Sequence, residues 1–207
     1  MQFKKKHIRE RILKETEDLL IEKGYSNTYM KDIAKSAGIG VSSVYTYFQS
    51  KAALFEQLVG ETYENIESLI DYFMSEEVWL DPASWTGKNE ENSFFNTIVD
   101  LLYDNKKASI LLFKRAEGTR FENFYEELLL SIAKERNTMG EIVEEMSVRY
   151  LKREFPWYIS DLLFKNLFDS LLNDLENGLS KEEAKARIVE VIYFYMNGFK
   201  GYIKSDI

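Results

Sequence analysis

The segment TYMKDIAKSAGIGVSSVYTYFQSK, Thr28 to Lys51, contains two short helical patterns separated by a glycine. The first pattern ends at Gly38 and places its apolar residues on one helical face, namely Met30, Ile33, Ala34 and Ala37. The second pattern runs from about Val41 to Phe48. Two short helices joined by a tight turn are typical of a helix-turn-helix unit, whose second helix enters the major groove of DNA. The segment therefore predicts a DNA-binding head.

The sequence on either side of this segment predicts longer helices. An amphipathic pattern from about Lys5 to Lys23 stops at Gly24, and another pattern runs from Lys51 to about Met74. Further helices are predicted at about Ser93–Asp104, Lys106–Glu117, Glu122–Arg153, Trp157–Asn177 and Lys181–Lys204, with a loop over Ser75–Asn92 and a capping box at Ser180–Glu183. The 207 residues include only 2 prolines and 10 glycines, too few for the tight turns of a sheet protein. The predicted fold class is therefore all-α.

Charge is distributed unevenly along the chain. Residues 1–51 carry a net charge of +4 and the remaining residues carry −12, giving −8 overall. This asymmetry predicts a basic head that meets a polyanion and an acidic body. On charge alone, a solvated lysine-rich tail is an alternative interpretation of the amino-terminal residues.

Composition excludes several kinds of site. The chain has no cysteine and a single histidine, His7, which excludes disulfides, thiolate nucleophiles and multi-histidine metal sites. We therefore predict no catalytic residues, no metal, no cofactor and no enzyme activity. Apolar runs are far shorter than the roughly 20 residues of a membrane-spanning helix, and the amino terminus lacks the apolar region of a signal peptide. We expect a cytoplasmic protein without a membrane partner.

Parts of Thr28–Lys51 resemble, in order and spacing, the DNA-binding signature of the tetracycline-repressor (TetR) family of transcriptional regulators. These parts are Asp32-Ile33-Ala34, the turn Ala37-Gly38-Ile39, the aromatic group Tyr45-Thr46-Tyr47-Phe48, and Ser50-Lys51 followed by Leu54 and Phe55. The resemblance implies a three-helix DNA-binding domain at residues 1–50 and a larger helical domain at residues 51–207 that binds an effector and dimerises.

This resemblance also implies a function. The expected protein is a ligand-responsive regulator, a repressor that binds double-stranded DNA at a pseudo-palindromic operator as a homodimer. A small molecule would release it by favouring a state in which the long helix Lys51–Met74 is displaced. The alternative is a helical adaptor that binds only protein, which would not need the basic head.

The predicted DNA-binding residues lie on or beside the two short helices: Thr28, Tyr29, Lys31, Gly40, Val41, Ser42, Ser43, Tyr45, Thr46, Tyr47 and Lys51. The recognition helix has no Arg, Lys, Asn or Gln, so we expect sequence choice to depend on methyl contacts, hydroxyls, water and DNA shape. Candidate phosphate partners are Lys31, Lys51 and the Lys4–Lys6 cluster. Packing within the head is an alternative role for Tyr45 and for Tyr47.

Two positions depart from the family pattern. Tyr29 stands where the family usually has a Ser or Thr that caps the second helix, so we expect Thr28 or Asn27 to cap it instead. Gly40 replaces the usual Ser cap of the recognition helix, and a glycine offers no side-chain hydrogen bond there.

In the family, a cavity among the middle helices binds a small molecule. The predicted wall residues are Phe95, Tyr103, Phe113, Phe124, Tyr125, Phe164 and Phe168, and ordinary core packing is the alternative for each of them. The acidic body and its tyrosine hydroxyls favour a cationic or neutral amphipathic ligand over an anionic one.

The last two predicted helices have wide apolar faces. Their predicted dimer-interface residues are Leu163, Leu167, Leu171 and Leu175 on one helix and Ile188, Ile192, Met196, Phe199 and Ile203 on the other. Paired with their symmetry mates, these faces would form a four-helix bundle. Burial within a single chain is the alternative.

Overall fold

In this computed structural model, which describes residues 2–75, 94–134 and 157–204, all regular secondary structure is helical. The helices are α1 Gln2–Lys23, α2 Met30–Ser36, α3 Val41–Tyr47, α4 Lys51–Phe73, α5 Phe94–Asp104, α6 Lys106–Lys114, α7 at residues 124–134, α8 Trp157–Glu176 and α9 Lys181–Lys204. The all-α prediction is confirmed. The predicted loop after Ser75 and the predicted helix beyond residue 134 lie outside the described residues. Within these residues, no helix is long and apolar enough to cross a membrane.

The described residues form two compact units. The first contains residues up to Asn65 together with Asn105–Tyr125, and the second contains the described parts of Ile66–Asp104 and Glu126–Ile207. A segment from the middle of the sequence therefore packs with the amino-terminal helices. The functional division predicted between residues 50 and 51 stays a prediction.

The core of the head joins α1, α2, α3 and the start of α4. Its fully buried residues are Ile12, Ile33, Ala34, Ala37, Val44, Phe48 and Leu54. The two alanines let α2 lie close to its neighbours because their side chains are small. At Gly38 the backbone adopts φ +65, a left-handed conformation that glycine adopts without strain. The Ile39 amide then donates to the Ala34 carbonyl at 3.0 Å, which ends α2 and redirects the chain into α3.

The turn between α1 and α2 has a different hydrogen-bond pattern from the one expected. Asn27 Nδ2 donates to the Lys23 carbonyl at 3.1 Å, and Thr28 Oγ1 donates to the Gly24 carbonyl at 2.8 Å. The prediction that Asn27 or Thr28 caps α2 is therefore wrong, because both side chains satisfy carbonyls at the end of α1. At the start of α2, the Tyr29 amide donates to Asp32 Oδ2 at 3.2 Å.

The segment that follows α6 is bonded to this same turn, and we call residues 115–118 the clasp. The Tyr25 amide donates to the Arg115 carbonyl at 3.2 Å, and Ser26 Oγ donates to the Glu117 carbonyl at 2.8 Å. Gly118 has φ +82, and a Cβ atom at that position would lie 3.0 Å from Ser26 Oγ. The close approach and the backbone conformation both require glycine there.

Ion pairs and rings add further links inside the first unit. Lys107 Nζ lies 3.0 Å from Glu17 Oε2 and 2.6 Å from Asp18 Oδ1, which ties α6 to α1. Arg120 pairs with Glu56 of α4, and its guanidinium lies 4.2 Å from the ring centroid of Phe121. These contacts attach residues 105–125 to both α1 and α4.

The second unit contains α5, α8 and α9, together with the end of α4 and most of α7. Its buried residues include Phe94, Phe95, Ile98, Val99 and Leu102 of α5, Leu167, Phe168, Leu171, Leu172 and Leu175 of α8, and Ala184 and Ile188 of α9. Lys181 and Lys185 of α9 approach the two oxygens of Asp100 at 2.6 and 2.7 Å. The predicted capping box before α9 forms, since the Ser180 amide donates to Glu183 Oε2 at 3.1 Å and the Glu183 amide donates to Ser180 Oγ at 3.2 Å.

Candidate DNA-binding surface

Helix α3 presents a polar and aromatic face to solvent. Its exposed residues are Val41, Ser42, Ser43, Tyr45 and Thr46. Only Val44 of this helix is fully buried, and it anchors α3 on the core of the head. A short helix anchored by one fully buried residue, with five of its seven residues exposed, has the form of a recognition helix.

Three features set the chemistry of α3. Gly40 is its N-cap with extended backbone, φ −71 and ψ 148, and it offers no side chain to the first amides. Thr46 Oγ1 donates to the Ser42 carbonyl at 3.2 Å. The hydroxyls of Ser42 and Ser43 are exposed.

The two tyrosines of α3 differ in environment. The Tyr45 side chain is 51% exposed, so it is available to DNA. Tyr47 is partly buried and packs against the core of the head. The packing alternative therefore fits Tyr47 better than Tyr45.

Exposed cations lie on α1 and α2. Lys31 is exposed, with its ammonium 5.4 Å from the ring centroid of Tyr29, which is itself 57% exposed. Lys5 and Lys6 of α1 are exposed, while the side chain of Lys4 lies outside the described residues. The sequence reasoning left out Lys35, an exposed cation in the last turn of α2. Its position in the sequence, one turn before Gly38 of the helix-turn-helix, could have indicated that it lies near the DNA-binding surface.

Lys51 has a structural role that the sequence reasoning did not foresee. Its Nζ donates to the carbonyls of Tyr25 and Thr28 at 2.6 and 2.8 Å and lies 3.8 Å from the centroid of the Tyr25 ring. Partial burial lowers the pKa of the Lys51 ammonium. Two of its three donors are occupied within the protein, so Lys51 fastens the turn between α1 and α2 to the start of α4.

Thr28 also departs from its predicted place on the DNA-binding surface. Its side chain is fully buried, and its hydroxyl donates to the Gly24 carbonyl. Contrary to the prediction, Thr28 is therefore not part of the candidate DNA-binding surface.

The predicted effector residues fall into two separate groups. In the first unit, the Phe113 ring lies 5.3 Å from that of Phe124 and 6.1 Å from that of Tyr125. In the second unit, the Phe95 ring stacks on Phe164 with centroids 6.1 Å apart. Each group packs ring against ring, as in a core.

Tyr103 differs from the other residues predicted for the effector cavity. Its hydroxyl is buried and makes no hydrogen bond within the part of the chain that the structure describes. Burial raises the pKa of Tyr103, and the nearby Asp174 carboxylate raises it further against the opposing charge of Arg187. A buried hydroxyl without a partner is available to a polar ligand or to water.

The predicted dimer-interface residues are mostly internal. Leu167, Leu171, Leu175 and Ile188 are buried within the single chain, so they have no surface to offer a second copy. This corrects the assignment of these four residues, which pack within their own unit. Leu163 and Ile192 are partly buried, and the side chains of Met196, Phe199 and Ile203 lie outside the described residues.

A different set of apolar side chains on α8 and α9 is exposed: Tyr158, Leu162, Val189, Tyr193 and Phe194. Tyr158 and Leu162 are one turn apart on α8, and Val189 and Tyr193 are one turn apart on α9. We call the two pairs, Tyr158 with Leu162 and Val189 with Tyr193, the outer patch; they lie outside the apolar stripes from which the dimer interface was predicted.

Comparison with known proteins identifies the head. The family model described as "Bacterial regulatory proteins, tetR family" matches residues 12–58. The biofilm operon icaADBC HTH-type negative transcriptional regulator IcaR of Staphylococcus aureus is 23% identical over 202 residues, covering 93% of this chain and 98% of that protein.

Solved structures show the same fold over most of the chain. SCO3833 of Streptomyces coelicolor, a member of the TetR transcriptional regulator family, has a TM-score of 0.58 at 18% identity, covering 87% of this chain and 86% of that chain. NalD of Pseudomonas aeruginosa, the secondary repressor of the MexAB-OprM multidrug efflux pump, has a TM-score of 0.54 at 21% identity, covering 92% of this chain and 95% of that chain. The head therefore matches the tetR family model, and over most of its length the chain resembles regulators of that family in sequence and in fold.

Proposed function

We propose that this regulator is a repressor that binds a pseudo-palindromic operator as a homodimer and leaves it when a small molecule binds. One observation carries the DNA-binding part. Helix α3 buries only Val44 and exposes Val41, Ser42, Ser43 and Tyr45 beside the turn at Gly38. Among the residues that the structure describes, this surface takes no part in packing, and it fits the major groove.

The charge of the head supports contact with the DNA backbone. Residues 1–51 carry +4, and the exposed Lys5, Lys6, Lys31 and Lys35 lie on α1 and α2. Lysines that neutralise phosphates release counterions, so affinity for DNA falls as salt rises. From the predicted set we keep Tyr29, Lys31, Gly40, Val41, Ser42, Ser43, Tyr45, Thr46 and Tyr47 as the proposed contacts.

Repression, rather than activation, is inferred from relatives. IcaR is named a negative transcriptional regulator, and NalD is named a repressor. A repressor of this design acts by occupying its operator.

The proposed homodimer uses the outer patch in place of the buried leucines. Tyr158, Leu162, Val189 and Tyr193 are 51 to 72% exposed, an unusual state for large apolar side chains that lie so near one another along two packed helices. One recognition helix reads only a few base pairs, so two copies about 34 Å apart are needed for useful specificity.

We place the effector in the second unit, beside the Tyr103 hydroxyl. Among the described residues that hydroxyl is buried and makes no hydrogen bond, while the nearby Asp174 is paired with Arg187 at 2.7 Å. The hydroxyl favours a ligand that accepts or donates a hydrogen bond, and the net charge of −12 beyond residue 51 favours a cationic or neutral one. Of the predicted residues, Phe95, Phe164 and Phe168 belong to the same unit as Tyr103 and stay proposed ligand contacts, whereas Phe113, Phe124 and Tyr125 pack together in the first unit.

The effector response is proposed to act through α4. This helix begins in the head at Lys51, whose ammonium holds the turn between α1 and α2. A displacement of α4 would move those two carbonyl contacts and so move the head. A thousandfold loss of operator affinity requires about 4 kcal/mol of coupling between the two sites.

DNA binding is tested by fluorescence anisotropy with duplexes that cover the DNA flanking the gene. Ser43→Glu, which places a carboxylate on the exposed face of α3, is expected to reduce affinity about 100-fold. Ser68→Glu is the matched control, because it makes the same change at an exposed position of α4 and is expected to bind as the wild type does.

Affinity that does not change with salt, or equal binding by the two variants, would overturn the proposal and favour the protein-binding adaptor. The effector is sought by adding a panel of organic cations and neutral amphipathic compounds to the wild-type complex. Tyr103→Phe is expected to weaken the response to the active compound without weakening DNA binding. A response left intact in that variant would remove the effector from this site.

A further inference from the structure

The recognition helix lacks the side chains that read guanine and adenine by paired hydrogen bonds. Residues 41–47 read VSSVYTY, with no guanidinium, ammonium or carboxamide group. Arg or Lys pairs with guanine O6 and N7, and Asn or Gln pairs with adenine N6 and N7. Gln49 lies beyond the C-cap Phe48 and is not part of the helix.

Thr46 presents a methyl group rather than a hydrogen-bond donor. Its hydroxyl has one proton, and that proton is donated to the Ser42 carbonyl at 3.2 Å. The side chain is exposed, so its Cγ2 methyl can contact a base edge, while the hydroxyl oxygen can still accept a hydrogen bond. A hydroxyl used in this way cannot also donate to the acceptors of guanine, adenine or thymine.

Val41 presents two further methyl groups at the start of the helix. It is the first residue of α3 and is 40% exposed, although valine is usually buried. Val41 and Tyr45 form one exposed row, one turn apart, and Ser42 and Thr46 form the adjacent row. Each row therefore contains one methyl-bearing residue.

The hydroxyls of Ser42 and Ser43 discriminate weakly between bases. A serine hydroxyl both donates and accepts, so it can pair with any base that faces it. The thymine C5 methyl is different, because it is the one apolar feature that a standard base shows in the major groove. Apolar side chains at 41 and 46 recognise that feature.

We propose that this regulator selects its operator by contact with thymine methyl groups, with Val41 and Thr46 as the residues that determine specificity. The operator half-sites it prefers are accordingly rich in A·T pairs. This inference rests on the proposed function, because it assumes that α3 lies in the major groove.

The experiment begins with selection from a pool of random duplexes by the full-length wild-type protein. Each thymine of the selected duplex is then replaced by deoxyuridine, which lacks only the C5 methyl. A buried methyl group contributes about 0.8 kcal/mol, so each contacted thymine should lose about fourfold in affinity when replaced. We expect at least two such positions in each half-site.

Two conservative variants assign the contacts. Val41→Ala should abolish the preference for thymine over deoxyuridine at one position, and Thr46→Ser should abolish it at another. Serine at 46 keeps the hydroxyl that donates to the Ser42 carbonyl. Circular dichroism spectra of both variants should match that of the wild type, which shows that they are folded. Ser68→Ala, at an exposed position of α4 outside the proposed contacts, is the matched control and should keep both preferences.

The outcomes separate the inference from the proposed function. Failure of the wild type to enrich any duplex would remove the proposed function and this inference together. Enrichment of a duplex in which deoxyuridine has no effect, but 7-deazaguanine reduces binding, would leave DNA binding in place and overturn methyl recognition. Loss of the same preference in both variants would show that one shared change in the helix, and not two contacts, is responsible.

Discussion

At the scale of single residues, Lys51 is a cation near the candidate recognition helix whose hydrogen bonds stabilise the fold. Its ammonium is held by the Tyr25 and Thr28 carbonyls, and the Tyr25 ring covers it. Lys51→Met removes two hydrogen bonds that involve a charged group, so we expect a loss of about 2 kcal/mol in the free energy of unfolding. Urea denaturation followed by circular dichroism measures this loss.

The control for Lys51 is another lysine of the same unit. Lys23→Met changes an exposed lysine at the end of α1 and should leave the free energy of unfolding within about 0.5 kcal/mol of the wild type. If Lys51→Met kept its stability but lost affinity for DNA, the original assignment of Lys51 as a phosphate partner would be restored.

Gly118 is a second residue whose neighbours restrict its identity. Alanine there would meet Ser26 Oγ at 3.0 Å and would have to adopt φ +82. We expect Gly118→Ala to destabilise the protein by about 1 to 2 kcal/mol, because the strain adds to the close contact. Gly60→Ala in α4 is the matched control, since a Cβ atom at Gly60 meets nothing within 4 Å.

Thermal unfolding distinguishes these two glycine variants. The control should be neutral or more stable by up to about 1 kcal/mol, because alanine is the better helix former. Equal stability of Gly118→Ala and wild type would show that the clasp can move away from Ser26 at no cost.

At the scale of helices, the contact between α5 and α9 depends on a carboxylate and two lysines. Burial acts to raise the pKa of Asp100, but hydrogen bonds from Lys181 and Lys185 outweigh it and lower that pKa below its usual value. Because the pKa is lower in the folded chain, the stabilisation is present above about pH 4, the range of an unperturbed Asp, and is lost as the pH falls through the folded value.

The test of this contact is the pH dependence of unfolding. Asp100→Asn should cost about 1 kcal/mol at pH 7, a modest value because 36% of the Asp100 side chain is exposed, and the difference from wild type should shrink below about pH 4. Asp104→Asn, at a residue 66% exposed that shares Lys181, should cost less. A difference that persists unchanged at pH 3 would show that the carboxylate charge is not its cause.

Helix ends were predictable from local chemistry. Gly24, Gly38 and Gly178 have positive φ, and each follows the end of a helix that the apolar pattern predicts. The capping box at Ser180 is equally local. These features were found because they depend on residues a few positions apart.

Helix partners were not predictable in the same way. The apolar period of α8 indicates that Leu167 and Leu171 are buried, but it does not say whether they face their own unit or a second copy. The roles of Thr28 and Lys51 depend on contacts between residues that are far apart in the sequence. The Lys51 ammonium, for example, donates to the carbonyl of Thr28, 23 positions earlier. Tertiary packing decides the role of such residues, and it cannot be read from a single sequence.

At the scale of the whole molecule, the proposed dimer gives the next prediction. Tyr193→Glu places a charge in the outer patch and should convert the dimer to monomers, with at least tenfold weaker operator binding, because an unpaired carboxylate resists burial. Size-exclusion chromatography with light scattering measures the mass.

The control for the dimer is an exposed leucine on another helix. Leu130 of α7 is 69% exposed, and Leu130→Glu should leave the mass and the operator affinity unchanged. A dimer of unchanged mass in Tyr193→Glu would exclude the outer patch as the interface.

The clasp has a consequence for how the protein is made. During translation, the ribosome releases α1, α2 and α3 long before it has joined Arg115 and Glu117 to the growing polypeptide. Until then, the Tyr25 amide and the Ser26 hydroxyl have water in place of their partners in the finished protein. The turn between α1 and α2 therefore gains these two hydrogen bonds only after more than half of the chain has been added.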